Sequence, residues 1–227
     1  MSYQYKARNQ TAFMQQLVRY VQAGYRFYIF GVTGRKPAES VDERLLTKFD
    51  IRKSPQQRSR AKARGEANLQ YIRLEDFWVI LATKGKHPFF HVHRTKDGRA
   101  EYKDLRKAAL RVGPYAISSK LDGAWNKESS SSKLNRYRVR VTLTRAEYKE
   151  LVAFFEGKAC HWSAERLEKE FAKVGQLYLP YSPVKNQLVQ LVRRTNKKRK
   201  ESGYKRIPYS ALNMPPHAKS QSVFIDS

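Results

Sequence analysis

The chain has 227 residues, of which 46 are Lys or Arg and 20 are Asp or Glu, so its formal net charge is +26. Such a surplus destabilises a compact domain by self-repulsion unless a polyanion neutralises it, which favours a nucleic-acid partner over a merely soluble basic protein. Hydrophobic residues make up 41% of the chain and aromatic residues 12%, enough to bury one or two cores, which excludes a disordered basic tail.

The first predicted elements are a helix, a strand and a second helix. Apolar residues at helical spacing predict a helix over residues 11–23. The aromatic and β-branched residues 25–32 predict a buried strand. The sequence from Ser40 to Glu43 has the pattern of a capping box and predicts a short helix that continues through Phe49.

The next predicted elements are a basic helix and several strands. Residues 54–64 start with Ser-Pro, which predicts a helix, but they contain almost no apolar residue that could pack it. Residues 69–74 and 77–83 predict a β-hairpin whose second strand lies at the centre of a sheet. Residues 89–94 predict a further strand, and residues 110–118 predict an extended segment interrupted by Gly-Pro.

The remaining sequence predicts one strong strand followed by three helices. Residues 135–143 alternate strictly between polar and apolar types, which is typical of a strand with one exposed face. Thr144, Ser163 and Ser182 are each placed to start a helix. This order predicts an α+β fold with a mostly antiparallel sheet, flanking helices and a C-terminal helical segment. The predicted organisation is an N-terminal unit (1–121), a flexible linker or loop (122–134), a basic strand-and-helix unit (135–206) and an extended tail (207–227).

Cysteine content and hydropathy indicate a reducing, aqueous environment. Cys160 is the only cysteine, so the chain forms no internal disulfide and no Cys-rich zinc module. The N-terminal residues lack the apolar stretch of a signal peptide, and the longest apolar run, residues 77–82, is far too short to span a bilayer. We therefore expect a cytoplasmic protein without a membrane partner.

Three arginines on the strongest predicted strand form a candidate phosphate-binding row. Arg136, Arg138 and Arg140 alternate with apolar residues, so they project from one face about 6.6 Å apart. This spacing is close to that of successive phosphates along a nucleic-acid strand. The structural alternative is an outward strand face paired with carboxylates.

Two further segments concentrate positive charge beyond what solvation requires. Their structural alternative is a solvated helix face. The candidate phosphate-binding residues of these segments are Arg52, Lys53, Arg58, Arg60, Lys62 and Arg64, and then Arg193, Arg194, Lys197, Lys198, Arg199, Lys200, Lys205 and Arg206.

Distributed charge with interspersed tyrosines suits an irregular RNA surface better than a single groove-reading helix. Tyr71, Tyr137 and Tyr204 lie near arginines and could stack on unpaired bases, although aromatic residues at such spacing are commonly part of a core. We therefore expect a non-catalytic protein without a cofactor that binds the phosphate backbone of structured RNA, in preference to DNA, within a ribonucleoprotein or mobile-element complex. A ribosomal or assembly protein is an alternative that needs no discrete site.

A different alternative comes from two histidines in the run His-Pro-Phe-Phe-His-Val-His. On an extended strand His91 and His93 would point to the same face and could bind one Mg²⁺ or Mn²⁺ ion. This pair resembles the metal motif of HUH-type single-strand endonucleases, which include replication initiators of plasmids, phages and transposons. The resemblance implies a tyrosine nucleophile with a lysine four positions later, which here would be Tyr181 and Lys185. Pro183, however, predicts that Tyr181 precedes its helix.

Overall fold

The computed structural model describes residues 4–35, 37–93, 100–121, 137–216 and 222–225. These residues form seven α-helices and seven β-strands, arranged in two antiparallel sheets of four and three strands. The predicted α+β class and the C-terminal helical segment are therefore confirmed. The chain divides into two compact units, one drawn from residues 1–110, 118–139 and 221–227 and the other from 111–117 and 140–220.

Four helices belong to the first unit: α1 (Gln10–Gln22), α2 (Ala38–Lys48), α3 (Pro55–Ala63) and α4 (Phe89–Val92). The Asn9 side chain caps α1 by accepting a hydrogen bond from the Ala12 amide at 2.9 Å. Helix α2 begins after Pro37, so Ser40 lies within its first turn and the predicted capping box at Ser40 is wrong. The fixed φ of Pro37 starts this helix without any side-chain cap.

The four-stranded sheet is built from β1 (Phe27–Val32), β2 (Leu69–Leu74), β3 (Phe77–Ala82) and β4 (Lys103–Asp104), in the order β2-β3-β1-β4. Strands β2 and β3 form the predicted hairpin, and β3 occupies an interior position as predicted. One face of the sheet packs against α2 in a core that includes Leu46, Phe49 and Ile80.

The predicted strand over residues 89–94 is wrong, because the chain forms α4 there. Pro88 adopts helical backbone angles and lacks an amide hydrogen, so it suits the first turn of a helix. The helical turn buries Phe89 completely and sets the Phe90 ring 5.3 Å from that of Phe27. Residues 94–99 lie outside the described residues.

The second sheet has the order β5-β6-β7 and consists of β5 (Leu110–Val112), β6 (Tyr115–Leu121) and β7 (Tyr137–Leu143). A turn at Gly113, whose φ is +53°, separates β5 from β6, as the Gly-Pro sequence predicted. The strongly alternating sequence forms β7. The predicted linker 122–134 and Arg136 lie outside the described residues.

The second unit contains three helices, α5 (Arg145–Lys158), α6 (Ala164–Leu177) and α7 (Ser182–Glu201). Thr144 and Ser163 cap α5 and α6 as predicted, by accepting hydrogen bonds from backbone amides in the first turn. The rings of Phe155 and Phe171 stack 4.0 Å apart in the core between α5 and α6. A 3₁₀ helix (Tyr209–Leu212) packs on α6 where Gly175 leaves room for its backbone.

No helix in the described part of the chain is both long enough and apolar enough to cross a membrane.

Candidate nucleic-acid interface

Helix α7 carries its positive charge on two flanks of one buried stripe. Leu188, Leu191 and Thr195 form part of the buried stripe, at the spacing of successive helical turns. Three exposed cations at positions i, i+4 and i+7 lie along one flank, and two lie along the other. The first flank consists of Arg193, Lys197 and Lys200, and the second of Arg194 and Lys198.

The chain reverses direction directly after α7 because of Gly203. This residue has a φ of +74°, which only glycine adopts without strain. The amide of Gly203 donates to the Lys200 carbonyl at 3.2 Å, and the amide of Tyr204 donates to the Arg199 carbonyl at 2.8 Å. These two bonds form a Schellman motif, which turns the following segment back along the helix.

Two side chains of α7 hold the returning segment in place. The Asn196 side chain donates to the Ile207 carbonyl and accepts from the Ile207 amide, each at 2.8 Å. Both residues are buried. The Arg199 Nε donates to the Lys205 carbonyl at 2.6 Å. The segment from Lys205 to Tyr209 is therefore fixed alongside the first flank of α7.

Arg199, one of the candidate phosphate-binding residues, is buried and bonded to the protein backbone. It is 1% exposed, and its guanidinium also donates to the carbonyls of Ala159 and Trp162, at 2.5 Å and 3.0 Å. Backbone carbonyls rather than phosphates thus satisfy this guanidinium. The side chain joins the end of α5 to the end of α7.

The first flank and the returning segment enclose a groove of about 670 Å³, which we call the α7 groove. Among the described residues that line it, five carry positive charge and Glu168 is the only acidic one. A concave surface lined mostly by one sign of charge concentrates the electrostatic field and attracts a polyanion. The lining residues are Glu168, Arg193, Asn196, Lys197, Lys200, Lys205, Arg206, Ile207, Pro208 and Tyr209.

The second flank of α7 faces α5 and is partly neutralised. The Arg194 Nε lies 2.7 Å from a Glu156 carboxylate oxygen, and this contact raises the pKa of Arg194. The Lys198 ammonium lies 3.5 Å from the Glu156 carbonyl oxygen. This flank therefore offers less unpaired charge to a ligand than the α7 groove does.

The basic segment around α3 is folded, and several of its cations have protein partners. The helix carries the Ser54 capping box, and Ala61 is its one buried residue among those described. Arg52 pairs with Glu43, Arg64 with Glu66 and Lys53 with Asp50, while the half-buried Arg58 donates to the Lys53 carbonyl at 2.6 Å. Arg60 and Lys62 are the exposed basic residues of α3 itself.

Strand β7 presents Arg138 and Arg140 on its exposed face, as the alternating pattern predicted. Two guanidinium groups lie near the ring of Tyr137, which precedes Arg138. The Arg26 guanidinium lies 4.7 Å and the Arg106 guanidinium 5.7 Å from its ring centroid. Burial and the charge of Arg106 lower the pKa of Arg26.

Base stacking is excluded for Tyr71, which is fully buried.

The histidine pair does not have the geometry expected of a metal site. His91 lies in α4 and His93 ends it, so the two side chains project about 160° apart around the helix axis instead of sharing one strand face. His93 packs against the rings of Phe49 and Phe89, and burial lowers its pKa. Throughout the described ranges no group of three or more His, Cys, Asp or Glu side chains could hold a metal ion.

Tyr181 and Lys185 do not form an activated nucleophile. Tyr181 is the N-cap of α7 and so precedes the helix, as Pro183 predicted. Its hydroxyl is buried, and burial raises its pKa to about 12, whereas a nucleophile needs access and a lowered pKa. The Lys185 ammonium donates to the Pro216 carbonyl at 2.8 Å.

Sequence reasoning missed Tyr209, Glu168 and the clamping role of Asn196. Tyr209 and Glu168 join the α7 groove through the reversal at Gly203 and the packing of α6, neither of which leaves a periodic signal. The sequence did contain a signal for the two side chains that hold the returning segment. Asn196 and Arg199 lie on the buried side of α7 beside Val192 and Thr195. A polar residue on an apolar stripe indicates a buried hydrogen bond.

Comparison of the chain with protein-family models, with curated proteins and with solved structures gives no match.

Proposed function

We propose that this protein is a non-catalytic nucleic-acid-binding protein that holds the phosphate backbone, with the α7 groove as its principal site. The observation that supports the proposal is the convergence of five cationic side chains on one groove with a single carboxylate among its described lining residues. Neutralising phosphates with such side chains releases bound counterions, which is the main source of sequence-independent affinity.

The exposed basic residues elsewhere extend the proposed contact. Arg60 and Lys62 on α3, and Arg138 and Arg140 on β7, are exposed cations on two further elements. Basic residues carried by several different elements suit a folded RNA, whose phosphates follow an irregular path, better than a straight duplex. The proposed ligand is therefore structured RNA, bound in the cytoplasm within a ribonucleoprotein or mobile-element complex.

Recovery of the bound nucleic acid tests this proposal. The full chain is purified from cells at low salt, and the co-purifying material is digested with RNase or DNase and sequenced. We expect RNA, concentrated in a small number of structured transcripts. Ribosomal RNA would identify a ribosomal or assembly role, and DNA would overturn the RNA preference. Absence of any nucleic acid, together with no salt-sensitive binding to RNA or DNA in vitro, would contradict the proposal itself.

A matched pair of variants links this result to the α7 groove. One variant carries Arg193→Gln, Lys197→Gln and Lys200→Gln, which removes three charges from the groove. The control carries Arg145→Gln, Lys149→Gln and Lys173→Gln, which removes three charges from exposed positions of α5 and α6 that do not line it. We expect the first variant to recover much less nucleic acid than the control, whose net charge is the same.

A further inference from the structure

Tyr209 places an exposed aromatic ring at the edge of the α7 groove. The residue is 51% exposed, whereas Ile207 before it and Leu212 after it are 2% and 4% exposed. Its backbone belongs to the 3₁₀ helix, in which the Ala211 amide donates to the Pro208 carbonyl at 3.1 Å. Buried residues on both sides therefore fix the position of the ring while leaving half of its surface open.

A cation flanks the ring as well as lining the groove. The Arg193 guanidinium lies 5.8 Å from the Tyr209 ring centroid. An exposed tyrosine by itself requires no explanation, since single apolar groups are common on protein surfaces. Here, however, the ring is one of the lining residues of a groove that also contains five cations. This combination is typical of sites that bind an unpaired strand, where bases stack on aromatic rings and phosphates contact Lys or Arg.

The walls of the groove restrict what can enter it. The direct hydrogen bonds between Asn196 and Ile207 join the two walls, and both residues line the groove. Its volume of about 670 Å³ lies in the range of sites for small organic ligands, which suits one or two nucleotides. A double helix keeps its bases paired and stacked inside, so it offers phosphates to the cations but no free base face to Tyr209.

We propose that the α7 groove binds an unpaired segment of nucleic acid, with one base stacked on Tyr209 and the adjoining phosphates held by Lys197, Lys200 and the cations of the returning segment. This inference rests on the proposed function and specifies its ligand: a loop, bulge or end of an RNA rather than a paired stem. The affinity at this site has two separable parts, one from stacking and one from charge.

Fluorescence anisotropy with the full chain separates those parts. The probes are a labelled ten-nucleotide polypyrimidine RNA, the corresponding DNA strand and a ten-base-pair RNA duplex, each titrated at several salt concentrations. Tyr209→Leu removes the ring, Tyr209→Phe retains it, and Lys197→Gln removes one charge from the same groove. Because Tyr209 is half exposed, neither substitution there is expected to impair folding, and circular dichroism checks this.

Tyr209→Leu is expected to weaken binding of the single strand about 5- to 30-fold without changing the salt dependence. It should leave duplex binding within about twofold of the wild type. Tyr209→Phe, which keeps the ring, should bind the single strand about as tightly as the wild type. Lys197→Gln should instead reduce the slope of log K against log salt by about 0.7 on single strands. Equal binding of the DNA strand would support the stacking site and show that the 2′-hydroxyl is not recognised.

Two results separate the failure of this inference from the failure of the proposed function. If Tyr209→Leu weakens single-strand and duplex binding equally, or weakens neither, the stacking site is overturned while nucleic-acid binding stands. If the wild-type protein binds none of the three probes in a salt-dependent manner, the proposed function itself fails.

Discussion

At the scale of single residues, the face of the helix on which a charged side chain lies determines whether it is buried or exposed. Arg199 lies among eight consecutive residues of which six are Lys or Arg, yet it is buried while its neighbours Lys198 and Lys200 are exposed. Its position on the stripe with Val192 and Thr195 decides this, because that stripe faces the core of the second unit. Counting basic residues in a segment therefore overestimates the number available to a ligand.

Arg199→Met should destabilise the protein by about 3 kcal/mol. The substitution keeps the aliphatic stem but leaves the carbonyls of Ala159, Trp162 and Lys205 without their donor. Urea unfolding monitored by circular dichroism measures the loss, and Lys200→Met, at an exposed position, should change stability by less than about 0.5 kcal/mol. Unchanged stability combined with weaker binding of nucleic acid would show that Arg199 contacts phosphate instead.

Tyr181→Phe should increase the free energy of unfolding by about 1 kcal/mol at pH 7, because the Tyr181 hydroxyl is buried without a hydrogen-bond partner among the described residues. The tyrosine also contributes pH dependence. An unfolded tyrosine ionises near pH 10, whereas the pKa of folded Tyr181 is about 12. Between pH 10 and pH 12 the unfolded state therefore binds fewer protons than the folded state. The free energy of unfolding is unaffected by this ionisation below pH 10 and falls as the pH rises towards 12.

Urea unfolding at pH 7 and at pH 11 measures both effects of this substitution. The wild type should lose more stability than Tyr181→Phe between the two pH values, because phenylalanine has no proton to release. A destabilised Tyr181→Phe protein at pH 7 would instead show that the Tyr181 hydroxyl has a hydrogen-bond partner.

At the scale of elements, the strongest sequence patterns predicted the structure well. The wrong predictions arose where a neighbouring proline or a buried side chain outweighed the local sequence pattern. Strict alternation predicted β7, and side-chain caps predicted the starts of α3, α5 and α6. The segment after Pro88 has alternating hydrophobicity but forms a helical turn, because this turn buries Phe89. At α2, the proline at position 37 takes precedence over the Ser40 cap.

The α7 groove was predictable only in part, for a physical reason. Its cations follow from composition and from the helical spacing of residues 193–200. Its second wall depends on the positive φ of Gly203 and on the hydrogen bonds between the Asn196 side chain and the Ile207 backbone. These contacts join residues that no periodic sequence pattern brings together.

Gly175→Ala should destabilise the second unit by about 1–3 kcal/mol and also weaken nucleic-acid binding. A Cβ atom at position 175 would lie 1.6 Å from the Leu212 carbonyl oxygen, so the 3₁₀ helix that carries Tyr209 must move. The matched control is Gly157→Ala in α5, where nothing beyond the chain neighbours and the local helix backbone lies within 4 Å of the added Cβ. This control should stabilise the protein by about 0.5–1 kcal/mol, because alanine favours helix over glycine. Equal stability of the two variants in urea unfolding would contradict the observed packing of the 3₁₀ helix on α6.

At the scale of the whole molecule, the basic side chains behind the net charge of +26 have different roles. Some are held by hydrogen bonds or ion pairs within the protein, and others are exposed to a ligand. Arg73 is buried and binds Asp42, with Nε to carboxylate oxygen distances of 2.9 Å and 3.0 Å. Several surface cations pair with the scarce carboxylates, as Arg194 does with Glu156. The α7 groove, in contrast, gathers five cations around one carboxylate among its described lining residues, a charge balance that suits a polyanion.

The salt dependence of binding tests most directly whether the α7 groove holds the phosphate backbone. Two double variants remove the same charge from opposite flanks of one helix: Arg193→Gln with Lys197→Gln in the groove, and Arg194→Gln with Lys198→Gln facing α5. For a single-stranded RNA probe, the groove variant should reduce the slope of log K against log salt by about 1.4, and the other variant by clearly less. Equal slopes for the two variants, or a wild-type affinity that does not change with salt, would show that the α7 groove does not hold the phosphate backbone.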